Sequence, residues 1–387
     1  MSVTAAAGFV ASGVHAGIRR SGLDLALVRS TVAAVGAAVW TTNRVLAAPV
    51  VVSQRHLEVA EPQAVVVNAG VANAATGSAG IADAERTSEE VAATLGLDPN
   101  EVVVLSTGVI GVPLPLERVL AGAREASASL SPDGGDAAAA AILTTDRGPK
   151  QVVVRCDGFV VGGMAKGAGM IHPRLATMLA VVTTDYPLDR GEAIDFLRPA
   201  VDESFNRISV DGECSTNDAV VLLANGASGI VRSAASDAQL AEALREVCAT
   251  LAREIVADGE GATVLLEIAV SGAESDSEAE AVARRIATSP LVKTAAFGRD
   301  PNWGRVVAAA GSAPWNGGFA HVEVERLTVA FDGTDVFVRG EPTGVAPQLG
   351  GPSVAIELDL GLGAGSASYL ASDLTYDYVK LNAEYTT

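Results

Sequence analysis

The sequence predicts a layered α/β protein, and three observations carry that expectation. Segments with strand character and segments with helix character come in mixed order, without the strict β-α-β alternation of a doubly wound sheet. Of the 387 residues 49% are apolar but only 4% aromatic, so the core is built mainly from Ala and Val, small or β-branched side chains that suit sheets covered by helices. No repeat period suggests a solenoid and no Pro/Ser-rich run reads as a long linker. The length allows two or three core-bearing lobes at roughly 100–200 residues each.

Along the chain, residues 23–39 are rich in Val, Ala and Leu and read as strands leading to Trp40-Thr41-Thr42-Asn43-Arg44. Residues 64–68 read as another strand, followed by a turn over Asn68-Ala69-Gly70-Val71-Ala72-Asn73-Ala74. Residues 81–95 form a helix closed by Gly96, since glycine enters the left-handed conformation past a helix end without steric cost. Residues 101–105 make a strand that runs into Ser106-Thr107-Gly108-Val109-Ile110-Gly111, and residues 116–127 make a helix. The alanine-dense residues 136–143 are helical and end at Thr144-Thr145-Asp146. A hairpin follows, with residues 151–156 and 159–162 flanking Asp157-Gly158, a two-residue turn signal. Farther on, residues 190–205, 238–256 and 275–287 read as helices, and residues 218–223, 263–270, 322–331 and 354–360 as strands.

Composition narrows the function. A net charge of −19 argues against nucleic acid or anionic membrane as a partner, because both select clustered cations. Cys156, Cys214 and Cys248 are odd in number and unpaired in spacing, so a reducing cytoplasm is expected rather than a disulfide framework. No apolar run approaches the roughly 18 residues of a membrane helix, and the first residues lack the basic-then-apolar pattern of an export signal.

The hairpin delivers the chain into Gly162-Gly163-Met164-Ala165-Lys166-Gly167-Ala168-Gly169-Met170-Ile171-His172-Pro173-Arg174-Leu175-Ala176-Thr177-Met178-Leu179. By spacing alone Thr177 is a β-branched residue of a buried strand whose hydroxyl bonds a nearby carbonyl. The glycine-rich run lacks the Gly-Lys-Ser/Thr ending of a phosphate-binding loop and the GxGxxG opening of a dinucleotide site. Lys166 instead suits a substrate carboxylate as a point charge. Ser106-Thr107-Gly108 is either a turn or a place where backbone and hydroxyl donors meet an oxyanion. Asp258-Gly259-Glu260-Gly261-Ala262-Thr263 follows a long helix and reads locally as a turn.

The order Lys-Gly-small-Gly-Met…Pro-x-x-Ala-Thr-Met-Leu resembles the self-cleavage segment of the ornithine acetyltransferases, also called glutamate N-acetyltransferases. The likeness extends along the chain from Gly13-Val14-His15-Ala16-Gly17 through Ser215-Thr216-Asn217-Asp218 and Asp300-Pro301-Asn302-Trp303-Gly304-Arg305 to the end. It implies an α/β sandwich similar in chemistry to N-terminal-nucleophile enzymes, cut between Ala176 and Thr177 into chains 1–176 and 177–387. The freed Thr177 is then nucleophile, and its own α-amine, with an unperturbed pKa of about 7.7–8.0, serves as base. By resemblance Thr107 and Gly108 form the oxyanion hole, and Thr144, Lys166, Thr177, Glu260, Asn382 and Thr387 bind substrate. Thr145 is a substitute for Thr144, because the segment up to Lys166 is a few residues shorter than usual in the family. His172, one of only four histidines, lies near Thr177 either as a structural loop residue or as an aid to the chemistry.

The resemblance further implies acetyl transfer from N-acetylornithine to glutamate, no metal or coenzyme, and α and β chains assembled as a heterotetramer. Departures from the family pattern fall at Ala69, Val71, Arg174 and Val264. Rival expectations are a bifunctional enzyme that also uses acetyl-CoA, a specialised-pathway paralogue with another acyl donor, and an uncleaved binding protein without turnover.

Overall fold

A computed structural model describes residues 2–172 and 178–384; the proposed cleavage residues Ala176 and Thr177, and the terminal Thr387, lie outside the described residues. The chain divides into two compact units, the first chiefly Met1–Asn206 with Glu213–Ile255, the second Arg207–Gly212 with Val256–Tyr385. The architecture is mixed α/β, as the sequence predicts.

In chain order the strands up to residue 224 are β1 (Phe9–Val14), β2 (Leu25–Ser30), β3 (Val35–Trp40), β4 (Ala64–Val71), β5 (Val102–Val109), β6 (Lys150–Arg155), β7 (Val160–Lys166), β8 (Leu179–Thr184), β9 (Ile208–Ser209) and β10 (Ala219–Ala224). The helices are α1 (Ala48–Val59), α2 (Gly77–Leu95), α3 (Leu116–Ala128), α4 (Gly135–Ala141), α5 (Ala193–Asp202) and α6 (Ala234–Ala257). The first unit holds a four-stranded sheet in the order β1-β2-β4-β5 and a five-stranded sheet in the order β3-β10-β8-β7-β6.

Alternation along each strand builds the layers, because successive side chains point to opposite faces. Ala26, Val28, Val65, Val67, Val103 and Leu105 join Met164, Leu179, Val181, Ala219, Val221 and Leu223 in one core, so the two sheets pack face to face. Their alternates Leu25, Leu27, Ala64, Val66, Val102 and Val104 meet Val91 and Leu95 of α2 and Val119 and Ala123 of α3. The five-stranded sheet is covered by α6: a Cβ on Gly163 would lie 2.8 Å from Val247. Each fully buried Val or Leu contributes about 1.5–3 kcal/mol of transfer free energy. Helices, sheet, sheet and helices give the expected sandwich. Both faces of every central strand are covered, so these strands read as continuous apolar runs.

The second unit contains β9 and β11 (Leu265–Ala273), the small hairpin β12 (Pro314–Trp315) and β13 (Gly318–Phe319), then β14 (Thr328–Phe331), β15 (Thr334–Val338), β16 (Glu341–Pro342), β17 (Ser353–Asp359) and β18 (Gly365–Ser372). Its helices are α7 (Asp276–Ala287), α8 (Pro290–Phe297), α9 (Trp303–Ala310) and α10 (Tyr376–Glu384). A seven-stranded sheet, β16-β15-β14-β17-β11-β18-β9, carries helices on one face. There Val282 and Ile286 of α7 bury against Leu266, Ile268 and Tyr369. Outward positions of β17 are half-buried or exposed, the pattern of a sheet with one face in water.

Several elements differ from the sequence reading. Residues 322–331 alternate apolar and polar like a strand, yet only Thr328–Phe331 is one, and a 3-10 turn spans Val324–Arg326. Val322 packs on the core but Val324 is 48% exposed, so the alternating residues do not form one buried face. Strand β4 continues through Val71 with a register shift, so the turn begins later than residue 68. Helix α1 has no counterpart in the sequence reading: its Val-Val-Val run has strand propensity, yet Pro49 opens a helix in its first turn.

Candidate active site

Ser106, Thr107 and Gly108 lie within the end of β5 rather than after it. Strand β5 runs parallel to β4, with Ala69 opposite Thr107 and Gly70 opposite Gly108. Gly108 adopts φ +129°, and a Cβ there would sit 2.2 Å from the Gly70 carbonyl carbon, so only glycine fits. The backbone on either side is tied down by buried amides. Ser106 Oγ donates to Asn68 Oδ1 at 2.5 Å, and Asn68 Nδ2 donates to the Val71 carbonyl at 2.9 Å. Asn217 Nδ2 donates to the carbonyls of Ala72 at 2.7 Å and Ser106 at 2.8 Å.

Lys166 ends β7 and is 1% exposed; its Nζ donates to Thr107 Oγ1 at 3.2 Å. A buried ammonium requires anionic company, and Asp146 supplies it. Burial alone would raise the Asp146 carboxyl, but the charges of Lys166 and Lys150 and the bonds from Lys150 and the Gly167 amide outweigh it and hold the carboxyl at about 2. Asp146 Oδ1 accepts from Lys150 Nζ and from Gly167 N, each at 2.7 Å, while Oδ2 accepts from Thr144 N at 3.0 Å. Thr144 is thereby linked to the Lys166 cluster through one carboxylate. Among the described residues, Thr145 makes no hydrogen bond to this cluster.

On the other side of β8, Asp218 is fully buried, and its Oδ1 accepts the Met178 amide at 3.0 Å. Burial pushes its carboxyl well up, against the Met178 amide, the Ser215 hydroxyl and the Lys166 charge.

In the second unit Glu260 occupies the turn after α6, half-buried. Its Oε2 accepts from Asn382 Nδ2 at 2.9 Å. Gly261 has φ +66°, and a Cβ would lie 2.4 Å from Tyr378 N, so α10 packs directly on the glycine. Thr375 Oγ1 donates to the Gly261 carbonyl at 2.7 Å and accepts the Tyr378 amide at 3.1 Å. Thr263 is held by Asp373, from its amide at 2.9 Å and its hydroxyl at 2.5 Å.

The structure thus brings Thr107, Gly108 and Lys166 together in the first unit, with Thr144 joined to them through Asp146, and pairs Glu260 with Asn382 in the second. Ala176, Thr177, Thr387 and the departure Arg174 fall outside the described residues. Asn302, part of the Asp-Pro-Asn-Trp-Gly-Arg motif, caps α9 by accepting the Arg305 amide at 3.1 Å. Trp303 of that motif stacks on Phe337 at 4.5 Å. Sequence reasoning missed Asp146, Lys150 and Asp218 as partners; the only available signal was the closeness of Asp146 to the Thr-Thr pair and of Asp218 to the Ser-Thr-Asn run.

The chain matches the model of the ArgJ family over residues 10–387. It is 48% identical over 399 residues to the arginine biosynthesis bifunctional protein ArgJ of Mycolicibacterium paratuberculosis, covering 100% of this chain and 96% of that protein. The protein of the same name from Thermosynechococcus vestitus is 44% identical over 414 residues, with 100% and 98% covered. Among solved structures, an ornithine acetyltransferase from Mycobacterium tuberculosis in complex with ornithine aligns at 47% identity and TM-score 0.42, over 44% of this chain and 94% of that one.

Proposed function

This chain belongs to the ArgJ family, acyltransferases of arginine biosynthesis, and from that premise we propose how it transfers acetyl from N-acetylornithine to glutamate. In the precursor, the Thr177 hydroxyl attacks the Ala176 carbonyl and displaces the peptide nitrogen to give an ester. Water hydrolyses that ester and leaves chains 1–176 and 177–387. The free α-amine of Thr177 then takes the hydroxyl proton as Oγ attacks the acetyl carbonyl of N-acetylornithine. Thr107 and the Gly108 amide donate to the oxyanion. Collapse expels ornithine, which receives the proton from the Thr177 ammonium. Glutamate's amine attacks the acetyl ester next, and the same groups act in reverse to release N-acetylglutamate. Thr144, Lys166, Glu260, Asn382 and Thr387 bind the amino-acid ends of the substrates. The scheme uses no metal or coenzyme, and the two chains assemble as a heterotetramer in the cytoplasm.

The buried Lys166–Thr107 contact supports this scheme most directly. A hydroxyl has one proton to donate. Because Lys166 donates to the Thr107 oxygen, that proton remains available for an oxyanion, and the adjacent cation strengthens it as a donor.

Intact mass of the purified protein, with sequencing of the second fragment, tests the scheme. Two fragments are expected, the second beginning at Thr177, and Thr177→Ala is expected to give a single inactive chain. A fragment beginning elsewhere, or normal cleavage of the variant, overturns the assignment. The relatives' names call them bifunctional without saying which second activity they mean, and acetylation of glutamate from acetyl-CoA is the alternative proposed here. Thiol release from acetyl-CoA in the presence of glutamate measures it.

A further inference from the structure

We propose that Asp218 is a positioning residue that fixes the backbone following the cut at Ala176–Thr177 and, through its neighbour Asn217, holds it in register with the oxyanion strand. This rests on the assignment of Thr177 as nucleophile. The Met178 amide, the first beyond Thr177, donates to Asp218 Oδ1 at 3.0 Å, and the Met178 carbonyl accepts the Ala219 amide at 3.3 Å. Met178 is therefore gripped on both sides by consecutive residues. One residue earlier, Asn217 grips the Ser106 carbonyl, which immediately precedes Thr107. A single segment thus holds one backbone group next in sequence to the nucleophile and one next to the oxyanion donor.

The segment itself is anchored independently of the Asp218 side chain. Thr41 N donates to the Asp218 carbonyl at 3.0 Å, Thr41 Oγ1 to the Ser215 carbonyl at 2.6 Å, and Ala47 N to the Thr216 carbonyl at 2.9 Å. Asp218 Oδ2 is buried and accepts no hydrogen bond of normal geometry from the described residues, with the Ser215 hydroxyl close to the carboxyl. An asparagine here keeps the carbonyl acceptor toward Met178 and the shape of the carboxyl, with an amide nitrogen in place of Oδ2.

Three variants of the full-length chain test the proposal, with self-cleavage followed on a denaturing gel after cell-free synthesis and with kcat and KM measured on the cleaved product. Asp218→Asn keeps an acceptor for the Met178 amide and is expected to cleave and turn over within about threefold of wild type. Asp218→Leu and Asp218→Ser remove or withdraw the acceptor and are expected to slow cleavage and lower kcat by about 10- to 100-fold, with KM for N-acetylornithine unchanged. Folding is read from the melting transition of each variant. If Asp218→Leu does not fold, Asp218→Ser decides alone. Wild-type cleavage in a folded Ser or Leu variant overturns the proposal, as does a folded Asp218→Asn variant as impaired as the others. Wild-type protein cut somewhere other than before Thr177 overturns the nucleophile assignment instead, a separate result visible before any variant is made.

Discussion

Thr107 has one hydroxyl proton, and the buried ammonium of Lys166 decides where it goes. An oxygen that already accepts from a cation donates its own proton elsewhere, which suits a group that meets charge only in the transition state. Thr107→Ala is therefore expected to lower kcat by about 100- to 1,000-fold, with a much smaller change in KM. Unchanged turnover in that variant removes Thr107 from the chemistry. Glu260 is proposed to act at a different stage, in holding the substrate. Its carboxylate is oriented by Asn382 and sits on a turn that α10 holds from above Gly261. Glu260→Gln keeps the shape but loses the charge, so affinity for N-acetylornithine should fall about 10- to 150-fold, the scale of one charge-assisted bond. Self-cleavage should persist, because it needs no bound amino acid. An uncleaved Glu260→Gln chain assigns the residue to folding or to the cut, and wild-type kinetics reduce the Asp-Gly-Glu-Gly turn to a turn.

Strands β7 and β8 are consecutive in the chain and antiparallel neighbours in the sheet, paired from Val161↔Thr184 to Lys166↔Leu179. The proposed cut lies between them, so each would end in a different fragment. Strand β8 is wholly buried and also pairs along its length with β10, and Met164 of β7 shares a core with Leu179 and Val181. Ladder hydrogen bonds and apolar contacts are not screened by salt as surface ion pairs are. The two fragments should therefore co-elute at native size in about 1 M NaCl and part only in denaturant; separation under native conditions means the ladder does not survive the cut. At this scale the sequence was legible where chemistry is local. Asp157-Gly158 marked the hairpin β6–β7, and Gly96, with φ +69°, marked the end of α2. It was misleading at 322–331, where alternation points to a strand, and it assigned nothing over α1, whose Val-Val-Val run has strand propensity although the residues are helical.

Across the whole molecule, two compact units divide the chain near residues 206 and 256, whereas the proposed chemical division falls at Thr177, within the sequence span of the first. No helix among the described residues is long and apolar enough to cross a membrane. The sequence by itself determined the mixed α/β class, from small β-branched residues in mixed segment order, and the family, from short motifs whose residues are neighbours in the chain. Turn glycines and helix caps belong with these, because they depend on a few adjacent residues. The tertiary structure alone decided which buried groups meet. Lys166 reaches Thr107 across 59 residues of chain, and Asp218 reaches Met178 across 40. The state of the Asp146 carboxyl depends on Lys150, a close neighbour in the chain, and on Lys166, which only the fold brings to it. Spacing in sequence carries no information on such pairs, since strand order and register set the distance, and distance and burial set the electrostatics.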